Sequence, residues 1–140
     1  MSHDVSIILS SYLSDNYIKN YYNNINELIE VANIQLVRVM NDPTSEEISY
    51  KEKFLELQNK KSKKNFEYKY LIVKRESLYA SWNRAIKLSD SKLISISNVD
   101  DIRYKEGLQA QISFFRKNSE LLLLGGYFNV RTKNDLIIHD

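Results

Sequence analysis

The hydrophobic pattern switches repeatedly between two periods. Residues 5–12, VSIILSSY, form a short apolar run rich in β-branched side chains, which predicts a buried strand. Further on, Ile18, Tyr21, Tyr22, Ile25, Leu28, Ile29 and Ala32 mark one face of an amphipathic helix, with Ser14 or Asp15 as its cap. IQLVRVM, residues 34–40, reads as a second strand and stops at the turn signal Asn41-Asp42-Pro43. Ser45 can cap a second helix running to Lys61, where the lysine-rich KKSKK (60–64) reads as a solvated helix end. FEYKYLIV, 66–73, is a third strand. SLYASWNRAIKLS, 77–89, is a helix with Leu78, Trp82, Ala85 and Ile86 inward. KLISIS, 92–97, is a fourth strand, and YKEGLQAQISFFRKN, 104–118, is a helix with Leu108, Ile112 and Phe115 inward. ELLLLGGYFNV, 120–130, is expected as a fifth strand bent at Gly125-Gly126, and DLIIHD can open another.

Strand–helix alternation with short connections argues for an α/β fold, a Rossmann-like three-layer α/β/α arrangement around a mostly parallel sheet. The 140 residues fit one domain. In such sheets ligands bind beyond the carboxyl ends of the strands. Those ends carry Ser11-Tyr12, Asn41-Asp42, Lys74-Arg75 and Asn98-Val99-Asp100-Asp101.

Composition narrows the chemistry. Twenty basic and eighteen acidic residues leave a formal charge of +2, which gives no reason to expect nucleic acid as a partner. Cysteine is absent, so disulfides, thiolate zinc sites and thiol nucleophiles are excluded, and a cytoplasmic setting fits. No apolar run approaches the roughly 20 residues of a membrane helix. Three glycines leave no room for a glycine-rich phosphate loop, and a G-x-S-x-G nucleophile elbow is absent. The strand-one end has no acids, unlike a receiver domain. His3 and His139 lie near the termini and in no apparent cluster. A diphosphate-and-metal site remains: one or two carboxylates suffice for a hard cation when the ligand's phosphates supply the other oxygens. Asp100 and Asp101 meet that need, although they could equally cap the helix that follows, and Asp42 could be only a turn residue.

Four segments taken in order carry a resemblance: SIILSSYLSDNYI ending strand one, VRVMNDPTSEE ending strand two, ESLYASWNRAIKLSDSKLISI with Asn83 after strand three, and SNVDDIR ending strand four. Together they resemble the nucleotide-sugar-binding N-terminal portion of the family 2 glycosyltransferases, of GT-A fold, over nearly the whole chain. The resemblance implies a single donor-binding domain over 1–140. It implies that Ser11 and Tyr12 lie against the nucleotide base and that Asp42 accepts a hydrogen bond from base or ribose. Asp100 would ligate Mn²⁺ or Mg²⁺ on the diphosphate, with Asp101 as second ligand or sugar contact. Arg75 would serve phosphate or ribose, and Asn83 would support the site. The implied activity is metal-dependent, inverting transfer from a nucleoside-diphosphate sugar, UDP-linked by expectation, to an acceptor hydroxyl on a glycan, lipid or protein, as in polysaccharide biosynthesis.

Two positions depart from the family pattern: Ser10 stands where proline is usual, and Asn98 where the first acid of a D-x-D motif would stand. The acceptor-binding half, with its general base, is expected to lie outside these residues. The alternative reading is a catalytically inactive GT-A-like interaction module, whose bare sheet edge would favour self-association as a homo-oligomer; the expected location is cytoplasmic or peripheral to the membrane.

Overall fold

Val5–Ser11 (β1) and Ile34–Asn41 (β2) are buried almost without interruption, β2 along its whole length. Continuous apolar runs of this kind suit the centre of a parallel sheet whose two faces are both covered. The computed structural model describes residues 3–61, 65–126, 128–131 and 137–139. The remaining elements are α1 (Asp15–Leu28), α2 (Ser45–Lys61), β3 (Phe66–Val73), α3 (Leu78–Leu88), β4 (Ile94–Ser97), α4 (Lys105–Lys117), β5 (Val130–Arg131) and β6 (Ile137–His139). The main sheet runs β3-β2-β1-β4, and every pairing in it is parallel. Hence all four carboxyl ends open on the same side.

Side-chain parity sorts the core into two layers. Ile7, Leu9 and Leu36 pack with Ile18, Tyr22 and Ile25 of α1, Phe54 of α2, and Leu108 and Ile112 of α4. The opposite parity, Ile8, Val37 and Val39, meets Ala85, Trp82 and Leu88 of α3. All seven residues of the α1 stripe read from the sequence are buried.

Three local expectations are corrected. The inward line of α3 runs through Ser81 and Ala85, while Leu78 (46% exposed) and Ile86 (42%) stand outward. Small side chains let the helix lie close to the sheet, and the Ser81 hydroxyl finds a partner in Asn41, 3.1 Å from Nδ2. Thr44, not Ser45, caps α2: its Oγ1 accepts from the Glu47 N–H, and Glu47 Oε2 accepts from the Thr44 N–H, both at 3.1 Å, a reciprocal capping box. Residues 120–126 form no strand; Leu122 is 97% exposed. An apolar run becomes a strand only by pairing, and residues 120–126 pair with no strand among the described residues; only Val130, at the end of the run, enters a strand, β5, which forms a separate antiparallel pair with β6. Residues 62–64 of the lysine run lie outside the described residues. Among the described residues no helix is long and apolar enough to cross a membrane.

If α3 packs through its small residues, Ala85→Leu overfills the contact and costs about 1–3 kcal/mol, whereas Ile86→Ala changes stability by no more than about 0.5 kcal/mol. Urea unfolding checks this, and the reverse order would put Ile86 back in the core.

Candidate functional site

The strand ends build the site in sheet order. After β1, Ser11 is buried and Tyr12 emerges. Leu13 follows at φ 48°, in the left-handed region, which costs a non-glycine residue roughly 1–2 kcal/mol. After β2, Asp42 is exposed at φ 39°. After β3, the Arg75 backbone N–H donates to Asp42 Oδ2 at 3.0 Å. The Arg75 guanidinium carbon lies 4.3 Å from the centroid of the Tyr12 ring, and its Nη1 lies 3.5 Å from the Tyr12 hydroxyl. Tyr12, Asp42 and Arg75, from three separate loops, therefore form one cluster. An exposed cation–π contact stabilises by only about 0.5–1 kcal/mol, so a ligand can rearrange it.

Asn41 fastens these loops. Its Nδ2 donates to the Ser11 carbonyl at 3.4 Å and to Ser81 Oγ, and its Oδ1 accepts from the Glu76 N–H at 3.0 Å. Ser11 itself contributes from below: its hydroxyl oxygen accepts from Arg38 Nε at 2.8 Å. Asn83 is exposed on α3, and none of its hydrogen bonds or ion pairs joins it to the cluster.

At the end of β4, beside β1, residues 98–101 form a turn. The Asp101 N–H donates to the Asn98 carbonyl at 3.2 Å, and Asn98 Nδ2 donates to Asp101 Oδ2 at 2.8 Å. Asp100 stands exposed in the turn with no hydrogen bond or ion pair among the described residues. Neither carboxylate caps α4, whose N-cap is Tyr104 with no side-chain capping bond. The turn is anchored to α1, where Asn24 exchanges two hydrogen bonds with the Arg103 backbone, both at 2.9 Å. One free carboxylate and one shared carboxylate are hard oxygen donors and fit Mg²⁺ or Mn²⁺ if phosphate oxygens complete the shell.

His3 is clustered after all, at the opposite, amino end of the sheet. Its ring nitrogens lie 3.7 Å from Glu67 Oε2 and 3.6 Å from Asp90 Oδ1. That group already holds a cation: Lys69 Nζ lies 2.8 Å from Asp90 Oδ2, and this hydrogen bond holds the Asp90 carboxyl below its usual range.

Beneath the Tyr12 cluster lies a feature that the sequence reading missed. Arg38 and Glu47 are both fully buried and paired at 3.1 Å. Arg38 Nη1 also donates to the Tyr22 hydroxyl at 2.7 Å, and Tyr22 shares a 2.8 Å hydrogen bond with Tyr68. Burial pulls the Arg38 pKa down, but Tyr22, Tyr68 and Glu47 more than offset it, and the guanidinium stays charged. Burial pushes the phenols of Tyr21, Tyr22 and Tyr68 above their ordinary value. The signal for the pair was present: an arginine in the middle of IQLVRVM must find a buried acceptor.

Several solved structures share this fold. A mannosyltransferase from Pyrobaculum calidifontis, in complex with GDP-Man and Mn²⁺, matches with a TM-score of 0.67 at 15% identity, over 82% of this chain and 33% of its own. TarS from S. aureus, in complex with UDP-GlcNAc, matches with a TM-score of 0.66 at 20% identity, over 85% of this chain and 32% of its own. The fold is that of the GT-A glycosyltransferases. The chain spans about a third of the length of these structures, corresponding to a GT-A-like N-terminal portion. No family model and no curated protein matches the sequence. The likeness to the GT-A fold thus rests on shape.

The raised phenol pKa values fix a pH dependence. Above about pH 10 the unfolded chain releases its tyrosine protons before the folded one does, so unfolding free energy is full below that pH and falls as pH rises through it. Urea melts from pH 8 to 11 are expected to show this decline, with a shallower slope for Tyr68→Phe. An unchanged slope would mean that Tyr68 ionises as freely in the fold as in solvent.

Proposed function

We propose that residues 1–140 are the donor-binding domain of a glycosyltransferase that takes a nucleoside-diphosphate sugar. The observation that carries this reading is the convergence of Tyr12, Asp42 and Arg75 at the carboxyl edge of a GT-A sheet, with the Asn98–Asp101 turn on the adjoining strand. Tyr12 offers a ring face and edge to the base. Asp42 keeps one carboxylate oxygen for a base or ribose donor while the other holds Arg75. Arg75 can leave the ring to meet a phosphate, and Ser11 supports Tyr12 from beneath.

Asp100 is the metal ligand in this account, with Asp101 assisting through the oxygen not bonded to Asn98. A bound Mn²⁺ or Mg²⁺ would supply Lewis-acid neutralisation of the departing diphosphate. Asn98 contributes no charge, but its amide fixes the turn that presents both carboxylates. Asn83 is assigned a supporting role at most. The transfer is proposed to be inverting, by in-line attack of an acceptor hydroxyl, and none of these residues is assigned as the general base. The solved relatives hold either GDP-Man or UDP-GlcNAc; a uridine donor is our choice. The alternative, an inactive GT-A-like interaction module, is favoured by the exposed Ile94 and Ile96 on the β4 edge and by the missing acid at Asn98.

Calorimetry with UDP and with GDP, with Mn²⁺ and with chelator, decides between them. Donor binding predicts metal-dependent affinity that falls about tenfold or more in Tyr12→Ala and in Asp100→Ala. Equal affinity of wild type and Asp100→Ala, with and without metal, would remove the metal role. Absence of binding to either nucleotide would favour the interaction module.

A further inference from the structure

The loops of the nucleotide seat carry backbone strain, and one buried ion pair grips both of them. Leu13 and Asp42 are the two non-glycine residues at positive φ among the described residues, one in each loop. Such conformations persist only where the surroundings over-determine them. Directly after Leu13, the Ser14 N–H donates to Glu47 Oε1 at 3.3 Å, and the Ser14 hydroxyl bonds the same oxygen. Two residues after Asp42, the Thr44 N–H donates to Glu47 Oε2 at 3.1 Å. Arg38 Nη2 donates to Glu47 Oε1 at 3.1 Å, while its Nε reaches Ser11. The Thr44 hydroxyl and the Asp15 carboxylate join the two loops directly.

Capping of α2 alone would need one oxygen of Glu47 and no arginine. Stability alone would be served as well by an apolar pair of similar volume, because desolvating two charges offsets their attraction. What an apolar pair could not do is hold residues 11, 14 and 44 at fixed distances from one another.

We propose that Arg38 and Glu47 are positioning residues that lock the 11–14 loop against the 42–44 loop and thereby set the spacing of Tyr12 and Asp42 for an incoming nucleoside diphosphate. The proposal rests on the donor-binding reading, since that seat is what the pair positions. Neither side chain meets the ligand; both act through Ser11, Ser14 and Thr44. Preorganisation of this kind raises affinity by removing the cost of ordering the loops on binding.

Two double variants test it, each removing both charges so that none is left buried alone. Arg38→Met with Glu47→Leu removes the grip. Arg38→Met with Glu47→Gln keeps one amide oxygen, which can accept from one of the two loop N–H groups but not from both. The readouts are the melting temperature, calorimetric affinity for UDP and GDP with Mn²⁺, and nucleotide-free hydrogen exchange of the Arg75 amide, which is bonded to Asp42 and not to Glu47. The Leu variant is expected to fold with a lowered melting temperature, to bind about tenfold or more weakly, and to exchange the Arg75 amide faster; the Gln variant, which still holds one loop, is expected to lose less affinity than the Leu variant. Native affinity with native Arg75 exchange in the Leu variant, or equal losses in both variants, would overturn the proposal. If the Leu variant does not fold, Arg38→Lys decides: it keeps the charge beside Glu47 but gives up the bond to Ser11. A several-fold loss of affinity at native melting temperature then supports the proposal, and native affinity overturns it. If wild type binds neither nucleotide, the donor reading fails, and Arg75 exchange in the same variants decides this one.

Discussion

A guanidinium in the middle of a strand that is buried along its whole length has to be neutralised on the spot. Much of the upper sheet follows from that constraint. Arg38 recruits Glu47 from the first turn of α2, the Tyr22 hydroxyl from α1 and the Ser11 hydroxyl from the end of β1. Ser11 ends β1, Glu47 follows the end of β2 and Tyr22 reaches in from α1, so meeting the charge ties β1, β2, α1 and α2 together just below the place where a parallel sheet presents a ligand. The exposed cluster above it is held by weaker bonds: a cation–π contact, a backbone N–H to a carboxylate, and the Asn41 amide. A rigid base under an adjustable surface is a physically sensible way to build a binding site.

The sheet was legible in the sequence because its central strands are short and mostly apolar, and the α1 stripe because it is long and regular. α3 was misread because periodicity weights large apolar side chains. Its close approach to the sheet keeps Ala85 inward as read, with Trp82 beside it, but adds Ser81, which a hydrophobicity pattern scores poorly, and leaves Leu78 and Ile86 outward. The run from residue 120 was misread over 120–126 for a different reason: apolar character shows that a segment can pair and says nothing about whether a partner strand is there.

The site was legible in part. Tyr12, Asp42 and Arg75 could be named as strand-end residues, but only the folded chain shows them in contact. Asn83 gained no such contact, and Ser11 proved to be a support reached from below. Arg38, Glu47 and Asn24 went unread, and Asn41 was read only as a strand-end turn residue, because their roles depend on bonds between residues far apart in the chain. His3 was dismissed as terminal, yet the parallel sheet brings the starts of β1, β3 and β4 together and sets it beside Glu67 and Asp90. The two ends of the sheet are thus chemically distinct. The amino end closes on itself with Lys69 as its cation, and the carboxyl end leaves Asp100 without one.

The central claim is that a nucleoside diphosphate and a divalent ion meet at the carboxyl end of this sheet. Paramagnetic broadening of backbone amide signals by trace Mn²⁺ in the presence of UDP or GDP tests it most directly. The account predicts broadening centred on residues 98–101, reaching Tyr12 and Asp42, that requires the nucleotide and disappears in Asp100→Ala. Broadening centred on His3, Glu67 and Asp90, or the same pattern without nucleotide, would contradict it.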